Sequence, residues 1–105
     1  MNKPILRYLP LFRDDLVSAI SYIRDTLQNE RAANDLINEV EQAIISRSEN
    51  PEMFEKYLSM KDRKYPYYRI YVRNYVVYYV IIPEDPPIME VRRFLSNRRN
   101  RSKIV

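Results

Sequence analysis

The apolar residues of this 105-residue chain change their period once, and that change restricts the fold more than any single motif does. Phe12, Leu16, Ile20, Ile23 and Leu27 recur at spacings of four, four, three and four. This is the stripe of an amphipathic helix; it predicts one over 11–28, with Asp14 and Asp15 placing negative charge in its first turn. A second stripe, Ala33, Leu36, Ile37, Val40 and Ile44, follows Asn29, a good helix cap, and runs until Asn50-Pro51 stops it. From Tyr67 onward the pattern belongs to strands. β-Branched and aromatic residues fill 67–72 and 75–82, separated by Arg73-Asn74, where asparagine can take the left-handed conformation of a tight hairpin. A third run, 88–95, follows the turn Pro83-Glu84-Asp85-Pro86-Pro87, and a short apolar stretch at 5–9, closed by Pro10, reads as a first strand.

The expected architecture is α+β in the order β-α-α-β-β-β: an antiparallel-rich sheet with an N-terminal helical hairpin packed on one face. Asp35, Glu39 and Glu41 belong on the outer side of that hairpin. Residues 51–66 show no period and read as a loop holding at most one short turn or strand. One domain accounts for residues 1–105, with 97–105 as a basic C-terminal tail.

Composition removes several classes of chemistry. Glycine is absent, which excludes Gly-rich phosphate loops and leaves turns to Asn, Asp and Pro. Cysteine and histidine are absent too, so there is no disulfide framework, no thiolate nucleophile and none of the usual zinc ligands. No metal and no cofactor is implied. Any acid-base catalysis would fall to Glu, Asp, Lys or Tyr with displaced pKa values. No apolar run is long enough to span a membrane, so a soluble, unexported, cytoplasmic protein without membrane partners is expected.

Charge is unevenly divided. Residues 1–55 carry a net charge of −4 and residues 56–105 carry +8, a contrast hidden by the overall +4. Eight of the ten tyrosines fall between Tyr57 and Tyr79, among arginines. Arginine brings a fixed fork for phosphate or carboxylate and tyrosine a stacking face, so this half suits a polyanion or an acidic partner. Strand alternation separates Tyr68, Ile70 and Val72, which belong beneath the helices, from Tyr67, Arg69, Tyr71 and Arg73 on the open face. In the last strand it groups Met89, Val91, Arg93 and Leu95 toward the helices, leaving Glu90 and Arg92 beside Arg69 and Tyr71. The competing reading of Arg69 and Arg92 is a structural pairing with Glu90, and that of Arg98, Arg99 and Arg101 is a solvated tail.

The chain resembles the RelE/ParE superfamily of type II toxin-antitoxin toxins, also labelled plasmid stabilisation proteins. Nearly the whole chain takes part: Leu27-x-Asn29-x-x-Ala32-Ala33-x-x-Leu36, the stop at Pro51, Tyr68-Arg69-Ile70-x-Val72-x-Asn74-Tyr75 leading to Val77-x-Tyr79-x-Ile81, and Val91-x-Arg93-x-Leu95-x-Asn97-Arg98-Arg99. The resemblance implies a growth-inhibiting toxin neutralised by a cognate antitoxin encoded beside it. Its members divide into ribosome-dependent mRNA endoribonucleases, which are RelE-like, and ParE-like proteins that act on DNA gyrase.

For a nuclease, the resemblance makes Arg69 and Arg98 or Arg99 phosphate-contacting catalytic candidates, and Glu90 and Tyr71 would serve as base and acid only with pKa values shifted toward neutrality. For target or nucleic-acid binding it offers Arg69, Tyr71, Arg73, Arg92, Arg98 and Arg99. Two departures weigh against cleavage: Val76 stands where the RelE-like nucleases carry a basic residue, and Ile104-Val105 ends the chain where they carry a tyrosine. An arginine beside Glu90 would also lower its pKa, the wrong direction for an acid. A ParE-like mechanism is therefore preferred, with RelE-like cleavage and a non-toxic basic RNA- or protein-binding module as alternatives.

Overall fold

Pro10 ends the first strand and opens the first helix. Its missing N–H is no loss at a helix start, and the preceding Leu9 stays extended (φ −78°, ψ 150°) while its carbonyl accepts from the amides of Phe12 and Arg13. The computed structural model describes residues 3–54, 56–57 and 64–97. The expectations for Arg98, Arg99, Arg101 and Ile104-Val105, and most of the basic tail, lie outside them.

The elements run β1 (Ile5–Tyr8), α1 (Pro10–Ser21), a π-helical turn (Tyr22–Thr26), α2 (Glu30–Arg47), β2 (Lys56–Tyr57), β3 (Tyr67–Val72), β4 (Tyr75–Ile82) and β5 (Ile88–Ser96). Asn29 caps α2 as expected, its side-chain oxygen accepting from the Ala32 amide at 3.0 Å. The first helix is shorter than its stripe because the wider π turn replaces α geometry after Ser21, and Gln28 leaves it in the left-handed region (φ 51°). Since the helix begins at Pro10, Asp14 and Asp15 fall beyond its first turn.

The sheet has the order β1-β5-β4-β3-β2, with β1 parallel to β5 and every other neighbouring pair antiparallel. The short β2 is the strand allowed for in the aperiodic 51–66 segment. The helices bury one face: Phe12, Ile20, Ile23, Ala33, Leu36, Val40 and Ile44 pack on Tyr68, Ile70, Val72, Val77, Tyr79, Met89, Val91 and Phe94. Two stripe residues depart from expectation. Leu27 lies in the chain reversal after the π turn and Ile37 at the edge of the helix face, and both are exposed. Asp35, Glu39 and Glu41 are exposed on α2, as expected.

Three corrections concern the strands. The hairpin turn places Arg73, not Asn74, in the left-handed region (φ 54°). On the face away from the helices, Tyr67 is buried in a second cluster with Val76, Tyr78, Val80 and Leu95 instead of standing open. Finally, β5 does not alternate throughout. Tyr79 pairs with Val91 and Tyr78 with Arg93, so Arg92 is an extra residue, and this bulge advances the phase by one. Phe94, not Leu95, therefore enters the helix-side core, and Arg93 stands opposite Tyr78 of the second cluster.

Candidate functional site

Register sets the far face of the sheet in rows. Tyr71, Val76 and Leu95 form one row across β3, β4 and β5; Arg69, Tyr78 and Arg93 form the next; Val80, Glu90 and Arg7 form a third that reaches β1. Side chains directly opposite one another share a face, so these arginines and tyrosines are neighbours in space although they come from four strands. The face thus brings together Arg69, Tyr71, Glu90 and Arg92 from the sequence-derived set. It also includes Arg7 and Arg93, which were not in that set.

Tyr71 is the open aromatic of the face at 56% exposure, with the Arg69 guanidinium 5.7 Å from its ring centre. That spacing is within cation–π range. Tyr67 meets Tyr78 edge-on with ring centres 5.6 Å apart, and Arg92 lies 5.9 Å from the Tyr67 ring. The tyrosines of this face mostly build its floor.

Glu90 is the buried carboxylate of the face, 6% exposed. Arg92 Nε donates to its Oε1 at 2.8 Å; Arg7 Nε donates to its Oε2 at 2.9 Å, with Arg7 Nη2 at 2.7 Å from the same oxygen. Burial alone would raise the carboxyl pKa, but the hydrogen bonds and charges of Arg92 and Arg7 outweigh it and hold Glu90 below its ordinary value. At neutral pH it is an ionised carboxylate with both oxygens engaged. Such a group is a weak base, and it has no proton to give as an acid.

Two further arginines are tied to the helices. Arg93 donates to Asp15 of α1 through Nε at 2.8 Å and Nη2 at 3.1 Å, and the Phe94 amide donates to the same carboxylate at 3.0 Å. This can happen because β1 covers only the Ile88 to Val91 part of β5, and α1, which follows β1 directly, brings Asp15 to the edge that remains. Arg73, expected on the open face, instead makes a two-point ion pair with Glu39 of α2. Its left-handed backbone turns the side chain off the strand's alternation and toward the helix. Structure does not unite Arg73 with Arg69.

Arg47 is a second residue that sequence reading passed over. At the end of α2 it donates to the Arg69 carbonyl and the Tyr79 hydroxyl, both at 3.0 Å, and its guanidinium stacks 3.5 Å from the Phe54 ring centre. The Tyr79 hydroxyl in turn donates to the Pro51 carbonyl at 2.7 Å. Burial raises the Tyr79 pKa against the opposing pull of Arg47, so the phenol stays protonated and keeps this donation at any physiological pH. The Arg69 backbone is thereby anchored from the helix side, while its side chain belongs to the far face. A basic residue in the last turn of a helix was visible in the sequence; its contacts were not.

Among the described residues no three carboxylates gather to hold a metal ion, and no helix is long and apolar enough to cross a membrane. The arrangement sets the exposed Tyr71 ring beside the Arg69 guanidinium on a face whose other charged groups, Glu90, Arg7, Arg92, Asp15 and Arg93, are paired with one another. Comparison with known proteins adds two findings. Residues 6–101 match the family described as the ParE toxin of the type II toxin-antitoxin system, parDE, and no curated protein matches the chain.

Proposed function

We propose that this chain, which belongs to the ParE toxin family of type II toxin-antitoxin systems, arrests growth by binding a protein target of the gyrase class and not by cutting message. Family membership supplies the toxin and implies an antitoxin partner. The state of Glu90 supports the mechanism. A ribonuclease needs a group to take the 2′-OH proton and another to protonate the leaving oxygen. Glu90 is clamped between Arg7 and Arg92 with its pKa lowered, which suits a sheet-stabilising carboxylate and neither task. Val76, where the RelE-like nucleases are basic, is fully buried in the second cluster. Arg69 and the exposed Tyr71, neighbours on the far face, are the proposed recognition residues, with Arg98 and Arg99 as further candidates.

The test follows both endpoints in one induced culture. Expression of the chain alone should stop growth, leave ribosome-bound message intact and reduce negative supercoiling of a reporter plasmid. Arg69→Ala should weaken growth inhibition about tenfold or more without loss of folded protein, the scale of an interface hot spot. Rapid cleavage of message with normal supercoiling would move the assignment to the RelE-like mechanism. Normal growth under full expression would remove the toxic activity altogether, leaving a basic binding module.

A further inference from the structure

Two hollows of about 420 and 360 Å³ lie beside the π-helical turn, and both are lined by Tyr22, Tyr75 and Ser96. They form one trough between the end of α1 and the ends of β4 and β5. Its floor is made of the Tyr75 ring stacked on Phe94 at 4.7 Å, with Ile23 and Leu36 beside them. Its rim is apolar yet open: Tyr22 is 53% and Leu27 55% exposed. The π turn is what produces this rim. One wide turn, closed by the Leu27 amide on the Tyr22 carbonyl at 3.1 Å, shifts the phase of the residues that follow, so that Leu27 leaves the core-facing stripe and stands at the rim with Tyr22.

Electrostatics restrict what the trough can hold. Its charged lining residues are Asp15 and Arg73, and each is already engaged, Asp15 with Arg93 and Arg73 with Glu39. A charged group seated here would find no counter-charge to repay its desolvation, whereas an apolar or aromatic side chain would lose little and bury much. The trough is also not isolated. Leu95 lines it and belongs to the Tyr71, Val76, Leu95 row of the far face, so a chain leaving the trough passes onto the side of the sheet that carries Arg69.

We propose that this trough is the anchor point of the antitoxin. It takes an uncharged aromatic or leucine-sized side chain from a segment whose neighbouring carboxylates then reach the Arg69 face and cover it. This deepens the toxin reading above and rests on it. An apolar plug beside a basic surface fits a partner segment with one large apolar residue among acidic ones, the pattern in which a central buried anchor carries affinity and surrounding charge sets orientation.

The probe is the purified product of the small gene adjoining the gene for this chain. A photo-crosslinking phenylalanine analogue is placed at Tyr22 and, as control, at the exposed Met53. Crosslinks from position 22 and not from 53 are expected. Tyr22→Asp should weaken the complex roughly 30-fold by titration calorimetry, while Tyr22→Phe does not, and expression of Tyr22→Asp alone should still arrest growth. Ser18→Arg, which also brings charge to the lining, should behave like Tyr22→Asp; circular dichroism confirms that both variants are folded. Unchanged affinity in both folded charge variants overturns the proposal. So do crosslinks from position 22 to a second copy of this chain, or loss of growth arrest with antitoxin binding intact. If the neighbouring product does not bind wild-type protein that arrests growth, the anchor falls and the toxin reading stands. If expression arrests nothing and nothing binds, both fall.

Discussion

At the scale of single residues, ion pairs decide how many of the arginines remain for function. Glu90 is the most demanding case, because two guanidinium groups depend on one buried carboxylate. Its pKa in the folded chain lies below the ordinary value of 4.5, so ionised Glu90 stabilises the fold above that pH, and the contribution is lost as pH falls through the folded value. Glu90→Gln should therefore flatten the acid limb of a Tm-against-pH curve below the ordinary carboxyl value of 4.5, measured by calorimetry. Glu90→Ala should lower stability by about 1–3 kcal/mol in urea unfolding at pH 7, since it strands two donors. Asp15→Asn removes the charge that meets Arg93 but keeps an acceptor for the Phe94 amide, and should cost about 1–2 kcal/mol. Asp15→Ala removes both and should cost more. The Arg92–Glu90 pair was the competing reading of the sequence, but the long-range pairs left no local sign: Asp15 and Arg93 are 78 positions apart, and Arg7 and Glu90 are 83.

At the scale of elements, the boundaries follow local chemistry where local chemistry is strong. Asn29 caps α2, Pro10 starts α1, and the hairpin strands Tyr67–Val72 and Tyr75–Ile82 stand where their alternation placed them. Asn29→Ala should therefore cost about 1 kcal/mol. Departures occur where backbone conformation is imposed by the connection between elements. Gln28 and Arg73 both occupy the left-handed region in a chain without glycine. Gln28 is exposed, and Gln28→Gly should raise stability by up to about 1 kcal/mol, less what glycine adds to the unfolded chain's entropy. At position 73 two effects compete, because glycine relieves the backbone but forfeits an exposed ion pair worth at most about 1 kcal/mol. Arg73→Gly should then be near neutral and Arg73→Val clearly destabilising, as a β-branched residue tolerates positive φ least. Comparison of the two midpoints in urea checks that order. The bulge at Arg92 is the element-scale feature that alternation could not foresee, since one extra residue exchanges the faces of Phe94 and Leu95 while leaving composition unaltered.

At the scale of the whole molecule, the charge asymmetry of the two halves becomes an internal connection. Part of the acidic N-terminal half meets part of the basic C-terminal half through Asp15 with Arg93 and Glu39 with Arg73, so the contrast of −4 against +8 overstates the free positive surface. Any salt dependence of target binding should accordingly be shallower than a count of arginines suggests, because Arg73, Arg92 and Arg93 already face carboxylates of the chain itself. Titrating binding from 50 to 300 mM salt would check this, and a slope at the full count would show that the pairs open on binding. The sequence was enough for the order of the main helices and strands and for most of the helix-side core, because these rest on periods and caps carried by neighbouring residues, while the family was legible as a resemblance of motifs spread along the chain. Only the tertiary structure decided which arginines are spent on carboxylates, which tyrosines form a floor, and where a trough opens beside the π turn. Those outcomes depend on strand register, one bulge and contacts between residues far apart in the chain, none of which leaves a local pattern to read.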